Sequence, residues 1–225
     1  MRKAIDKEEI SKAAAMLKEG HLVAFPTETV YGLGANALLD SAVQSIFTAK
    51  GRPSDNPLIV HVASLDSARP LVSNVPAIVE LLASRFWPGP LSIVLPITAT
   101  CGLSKLATAG LDCVGIRVPD HPVALELLRQ ANVPVAAPSA NKSGSPSPTT
   151  ALHVLNDFLD FGCTSLSAKA QLFRLAVSDL LLKICHLGCL RRQTFGCFVE
   201  LSLLLLVILV QSINLGYGRG QGHAP

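Results

Sequence analysis

The chain has 225 residues, with 19 Lys and Arg against 16 Asp and Glu, a length that suits one large domain or one domain with an appendage. Residues 1–157 balance 13 basic against 13 acidic side chains, which gives no reason to expect a nucleic-acid groove, whereas residues 158–225 carry 6 against 3. The first part also holds 14 of the 15 prolines and two of the six cysteines, so the two stretches differ in kind.

Met1-Arg2-Lys3 runs into Asp6-Lys7-Glu8-Glu9, not into an apolar region, which reads as neither a secretory signal nor an acid-poor transit peptide. A cytoplasmic protein with reduced thiols is the expectation. Asp6 and Glu9 form a capping-box pattern, and Ile10, Ala13, Ala14 and Leu17 then recur at helical spacing until Gly20. Residues 22–25 are a short apolar run that reads as a buried strand, and Pro26-Thr27-Glu28-Thr29 is the loop at its end. The segment from Thr29 to Gly34 reads as a lead into a second helix, whose stripe is Ala42, Val43, Ile46 and Phe47 and which Gly51 and Pro53 terminate. Further strands are expected over residues 58–62, 91–95, 113–118 and 133–137. A helix over 77–86 is expected to bury Ile78, Leu81, Leu82 and Phe86, another follows Pro122, and Thr149 is read as the cap of a last short helix. Strands separated by helices give an α/β fold, and crossovers of this length favour some parallel pairing.

Two stretches carry the chemistry. Lys50-Gly51-Arg52-Pro53 places two cations two residues apart where the chain leaves a helix, so both are expected to be accessible and able to turn toward one anionic ligand; a solvated surface pair is the plainer alternative. Pro138-Ser139-Ala140-Asn141 is a polar turn directly after an apolar strand, the position at which open α/β sheets bind ligands. A weak dinucleotide pattern, Gly32-x-Gly34-x-x-Ala37, does not directly join a strand to a helix and has no suitably placed acid after it.

Taken together, several ordered motifs resemble the Sua5/YrdC/YciO family, the L-threonylcarbamoyladenylate synthases. They are Phe25-Pro26-Thr27-Glu28-Thr29-Val30-Tyr31-Gly32-Leu33, Ala49-Lys50-Gly51-Arg52-Pro53, Asn56-Pro57-Leu58-Ile59-Val60-His61 and Trp87-Pro88-Gly89-Pro90-Leu91. Thr108-Ala109-Gly110-Leu111-Asp112, Gly115-Ile116-Arg117-Val118-Pro119 and Ala137-Pro138-Ser139-Ala140-Asn141 complete the set, and the resemblance covers residues 5–157. It implies a twisted mixed parallel and antiparallel open sheet, flanked by helices, around a positively charged cavity. It implies a nucleotidyltransferase that makes threonylcarbamoyl-AMP and pyrophosphate from L-threonine, bicarbonate and ATP, with Mg2+ held mostly by the phosphates. The product would feed the tRNA threonylcarbamoyl transferase machinery that modifies adenosine 37.

The resemblance assigns Lys50 and Arg52 to the triphosphate and carbamate, with Asn56, Ser139 and Asn141 also on ATP. It assigns Thr29, His61, Thr108 and Arg117 to the threonine side, and no protein metal site. From the residues alone, Arg117 is equally a sheet-edge ion pair, and His61 a satisfied core histidine. A nucleotide- or RNA-binding form without turnover, including one that takes tRNA or double-stranded RNA, is the competing reading; the balanced charge of residues 1–157 weakens its RNA version.

Residues 158–225 match none of the family's later strands. They are expected to be an unrelated apolar tail, from alternative splicing, a retained intron or a gene-model error, that leaves the family domain incomplete, marginally folded and poorly active. The apolar run 201–210 is short for a membrane helix, which needs about 20 residues. Cys185, His186, Cys189 and Cys197 lack a paired zinc-knuckle spacing. The Gly-rich end from residue 216 reads as flexible.

Overall fold

The computed structural model describes residues 7–159. Asp6 and the whole of the 160–225 stretch, with its apolar run, cysteines and Gly-rich end, lie outside the described residues.

The first helix, α1 (Lys7–Lys18), buries Ile10, Ala13, Ala14 and Leu17, the expected stripe. Strand β1 (Val23–Phe25) is buried at every position because it is covered on both faces. Val23 and Phe25 join a cluster with α1 and with α6 (Pro122–Ala131), while Ala24 joins Tyr31, Leu33, Ala140, Ala151 and Val154 on the other side. The period of two along a strand divides the side chains in this way. In α6, Pro122 occupies the first turn, and His121 Nδ1 accepts the Val123 N–H at 3.2 Å as the cap.

Residues 32–36 are not a lead into a helix. They form a strand, β2 (Gly32–Asn36), that folds back antiparallel on β1 and is buried at all five positions. Its sequence, Gly-Leu-Gly-Ala-Asn, lacks both β-branched residues and alternation, so no strand signal was present. The glycines have a packing reason. A Cβ on Gly34 would stand 2.8 Å from the Phe25 ring and 2.8 Å from Val135 Cγ1, and one on Gly32 would stand 3.3 Å from the same ring. The bare backbone of β2 lets the Phe25 ring lie across it.

Helix α2 (Asp40–Lys50) buries Ala42, Val43, Ile46 and Phe47, and Gly51 ends it in the left-handed region at φ +60°. The remaining strands are β3 (Val60–His61), β4 (Ile93–Pro96), β5 (Cys113–Arg117) and β6 (Val135–Ala136). The sheet runs β1-β2-β6-β3-β5-β4, with β3 and β5 parallel and every other neighbouring pair antiparallel. This is the expected mixed α/β sheet. Short helices α3 (Leu65–Ala68) and α5 (Lys105–Thr108) precede β4 and β5 respectively, and α7 (Ala151–Leu159) packs Ala151 and Val154 under β1 and β2.

Two details differ from expectation. Helix α4 (Ala77–Phe86) buries Val79 and Ala83, while Ile78, Leu81 and Phe86 are 45%, 52% and 54% exposed. The helix is apolar on two faces, so periodicity alone could not choose between them. The smaller side chains face inward, and the neighbouring Glu80 pairs with Arg69 at 2.8 Å. At α7 it is Thr150, not Thr149, whose hydroxyl accepts the His153 N–H at 3.3 Å.

Gly34→Ala is expected to destabilise the chain by about 1–3 kcal/mol, because ring and Val135 must both move. Gly115→Ala, whose Cβ would meet Ile59 at an ordinary 3.7 Å, is expected to cost under about 1 kcal/mol. Urea unfolding midpoints compare the two; equal midpoints would remove the packing reason for the β2 glycines.

Candidate ligand-binding site

Lys50 is the last residue of α2, and it corrects the expectation of two accessible cations. It is 4% exposed, and its Nζ donates to the backbone carbonyls of Ser139 and Asn141. The main chain reinforces this contact, because the Ser143 N–H donates to the Lys50 carbonyl at 2.9 Å. The turn after β6 is held from its other side by β2 and the residue before it: Leu33 N–H donates to Pro138 O and Ala140 N–H to Tyr31 O, each at 2.8 Å. Asn141 Nδ2 donates to Lys142 O at 2.8 Å and Ser145 O at 2.7 Å, closing the loop on itself. Asp157 on α7 accepts the Lys142 N–H at 3.1 Å. Burial and the Arg52 charge push the Lys50 ammonium down to about 8, and Asp157 partly opposes them.

Arg52, two residues on, is half-buried, and among the described residues its side chain makes one long contact, 3.4 Å from Nη2 to Pro57 O. Burial lowers its pKa, against a smaller opposite effect of Asp55. It is the freer of the two cations.

A second cluster forms where β3 and β5 run parallel. His61 and Arg117 are register partners, so their side chains share one face of the sheet. His61 is 4% exposed, and its ring meets Phe25 edge-on with centroids 6.0 Å apart. Burial, with the Arg117 charge adding to it, pushes the imidazole down to about 3, so it is neutral at ordinary pH. Arg117 Nη2 donates to Glu28 Oε1 at 2.6 Å and to Thr29 Oγ1 at 3.0 Å. The ion pair read from the residues is therefore present, but β5 lies inside the sheet between β3 and β4, not at its edge.

The two clusters are joined through the β1–β2 loop. Thr29 reaches Arg117, and Tyr31, two residues later, holds the Ser139–Asn141 turn. Thr29, His61 and Arg117 are thus brought together, as are Lys50, Ser139 and Asn141, with Arg52 beside them. Asn56 is exposed on the loop before β3. Thr108 is buried, with its hydroxyl donating to Lys105 O at 3.3 Å. Among the described residues no hydrogen bond ties either of them to the two clusters.

Glu28 and Asp157 were not singled out from sequence. Glu28 had a usable signal, a carboxylate between two threonines in a Pro-initiated loop at a strand end; Asp157 had none. A shallow depression of about 520 Å³ lies over residues 38–41 and 102–105. It sits at the far end of α2, about 15 Å from Lys50, and is separate from this site.

Buried side-chain polar atoms are nearly always hydrogen-bonded. Here, among the described residues, Arg52 Nε, His61 Nδ1, Arg117 Nε and Asn141 Oδ1 are buried without a partner. These four lie within the two clusters. They comprise two guanidinium Nε donors, a nitrogen of the neutral His61 ring and an amide oxygen. No group of three His, Cys, Asp or Glu side chains that could hold a metal ion occurs among the described residues, and no helix there is long and apolar enough to cross a membrane.

Comparison with known proteins gives the chain relatives. The Sua5/YciO/YrdC family profile, described as "Telomere recombination", matches residues 15–164. Threonylcarbamoyl-AMP synthase of Pyrococcus abyssi is 54% identical over 158 residues, 70% of this chain and 46% of that protein. The Bacillus subtilis protein of the same name is 56% identical over 66% of this chain and 43% of its own. The chain therefore spans less than half the length of these curated relatives. The crystal structure of P. abyssi Sua5 complexed with L-threonine matches with a TM-score of 0.67 at 54% identity, covering 70% of this chain and 46% of that one. Escherichia coli YciO, at 19% identity and a TM-score of 0.62, shares the fold.

His61 sets an acid limit. Its folded pKa lies below the unfolded value of about 6.5, so the stability linked to the neutral ring is whole above about 6.5 and is lost as pH falls toward about 3. The half-buried His121 is lowered by burial and acts in the same direction. His61→Gln is expected to flatten the fall in urea midpoint between pH 6.5 and 3 relative to the unaltered chain, and parallel acid limbs would contradict the assignment.

Proposed function

The chain belongs to the Sua5/YciO/YrdC family, and from that premise we propose that residues 7–159 carry the nucleotide and amino-acid sites of a threonylcarbamoyl-AMP synthase. In this reading bicarbonate and the amine of L-threonine join with loss of water to give an N-carboxylate. A carbamate oxygen then attacks the α-phosphorus of ATP, the bond from that phosphorus to the bridging oxygen breaks, and pyrophosphate leaves. The product would pass to a threonylcarbamoyl transferase acting on tRNA.

The observation that carries the proposal is the set of four unmet buried polar atoms on Arg52, His61, Arg117 and Asn141. They suit a substrate set that brings a carboxylate, a carbamate and a polyphosphate into one place. Arg52 is assigned to the triphosphate and carbamate, where a planar fork matches either anion. Lys50 adds a fixed positive charge beneath the Ser139–Asn141 turn, whose side chains are assigned to the nucleotide. Preorganised charge of this kind stabilises a transition state without reorganising during the reaction. Arg117 is assigned to the threonine carboxylate, and Thr29 and His61 to its surroundings. Asn56 and Thr108 remain assignments by resemblance. Mg2+ fits this scheme as part of the nucleotide, with the phosphates as its ligands.

The experiment is calorimetric ATP binding together with pyrophosphate release in the presence of L-threonine and bicarbonate, run on the 225-residue chain and on a version carrying a relative's C-terminal segment. Nucleotide binding by both, with turnover stronger in the second, is the expected result. Binding without turnover in either would favour a nucleotide-binding protein, and absence of binding would overturn the reading. Arg52→Ala is expected to weaken ATP binding about tenfold or more while changing stability by under about 0.5 kcal/mol. Lys50→Ala, by contrast, strips two buried carbonyls of their donor and is expected to cost about 2 kcal/mol of stability along with binding. A loss confined to stability in both variants would make the two cations structural.

A further inference from the structure

Glu28 has no part in the chemistry above, yet it is among the most constrained carboxylates described. Its side chain is 19% exposed and that of Arg117 is 12% exposed. Each carboxylate oxygen has a separate task. Oε1 accepts from Arg117 Nη2 at 2.6 Å, and Oε2 accepts the backbone N–H of Asp120, in the turn between β5 and α6, at 3.0 Å. The loop that presents Glu28 is braced from within. Thr27 Oγ1 donates to Val30 O at 2.6 Å and accepts the N–H groups of Thr29 and Val30 at 3.2 and 3.3 Å. Loop 26–30 is thereby fixed to itself, and through Glu28 it is fixed to the strand that carries Arg117.

The consequence falls on the arginine. Two oxygens, from Glu28 and Thr29, hold a single guanidinium nitrogen, while Nε stays buried and unmet. A guanidinium is planar, so fixing one nitrogen from two directions fixes the direction of the remaining N–H groups. We propose that Glu28 is a positioning residue for amino-acid recognition: it orients Arg117 toward the α-carboxylate of L-threonine without touching the substrate. The inference rests on the reading of Arg117 given above and goes beyond it by assigning a role to Glu28. Orientation, not charge, is what Glu28 contributes. Its negative charge opposes a second carboxylate, and the site tolerates that opposition because the fork is aimed before substrate arrives.

The test is calorimetric affinity for L-threonine and, separately, for a non-hydrolysable ATP analogue, using the full chain and its Glu28→Ala and Glu28→Gln forms. Thermal unfolding is recorded on each. Glu28→Ala is expected to weaken threonine binding about tenfold with nucleotide binding unchanged. Glu28→Gln keeps an oxygen for Arg117 and is expected to recover a large part of the loss. Parallel loss of both affinities in step with thermal stability would make Glu28 a structural brace and overturn the proposal. Unchanged or tighter threonine binding by Glu28→Ala would overturn it too, marking Glu28 as a competitor for Arg117. Failure of the unaltered chain to bind threonine would overturn the underlying reading itself, and is seen before any variant is examined.

Discussion

A lysine ammonium almost shut off from water, resting on two backbone carbonyls, is the contact on which the rest of this structure depends. An unpaired buried charge costs several kcal/mol, so Lys50 is tolerable only while the carbonyls of Ser139 and Asn141 face it. That requirement fixes the turn after β6 relative to the end of α2. The same turn hangs on β2 through Leu33, on Tyr31 just before that strand, and on α7 through Lys142 and Asp157. Four elements distant in sequence therefore meet at one charge. β2 can take part because its glycines leave room for Phe25, whose ring also forms one wall beside His61.

The electrostatics divide between the two clusters. Around Lys50, a cation is held so that it orders backbone, and the nearby Arg52 is left with fewer partners. Around Arg117, an anion orders a cation, and a neutral histidine lies beside it. Both arrangements spend protein hydrogen bonds on geometry and leave particular atoms unmet. In general, a charge fully satisfied by protein has nothing to offer a ligand, and a charge not held at all must be ordered when a ligand arrives.

Much of this was legible in the sequence, for identifiable reasons. Helix α1 and helix α2 were readable because their apolar stripes have one dominant period and end at Gly20 and Gly51. The polar turn at 138–141 was readable because it follows an apolar run. β2 was not, since its glycines serve a ring from another strand and leave no periodic trace. The inward face of α4 was not, because two faces are apolar and packing chose the smaller side chains. Lys50 and Arg52 were visible as a pair, but not their different fates: one is captured by carbonyls that sit about 90 residues away, a long-range contact that local pattern cannot encode. Glu28 and Asp157 act on residues equally remote, on Arg117 and on the Lys142 backbone. The expected tail and its consequences for the domain concern residues outside those described.

The central claim is that Lys50 is a buried, carbonyl-bound cation of lowered pKa. Nitrogen-15 NMR of the lysine side-chain ammonium groups in the full chain, with the Lys50 signal identified by its loss in Lys50→Arg, tests it directly. The account predicts slow proton exchange for that ammonium at neutral pH and a titration centred at about 8. A Lys50 signal that exchanges as fast as those of exposed lysines and titrates with them near about 10.4 would contradict it.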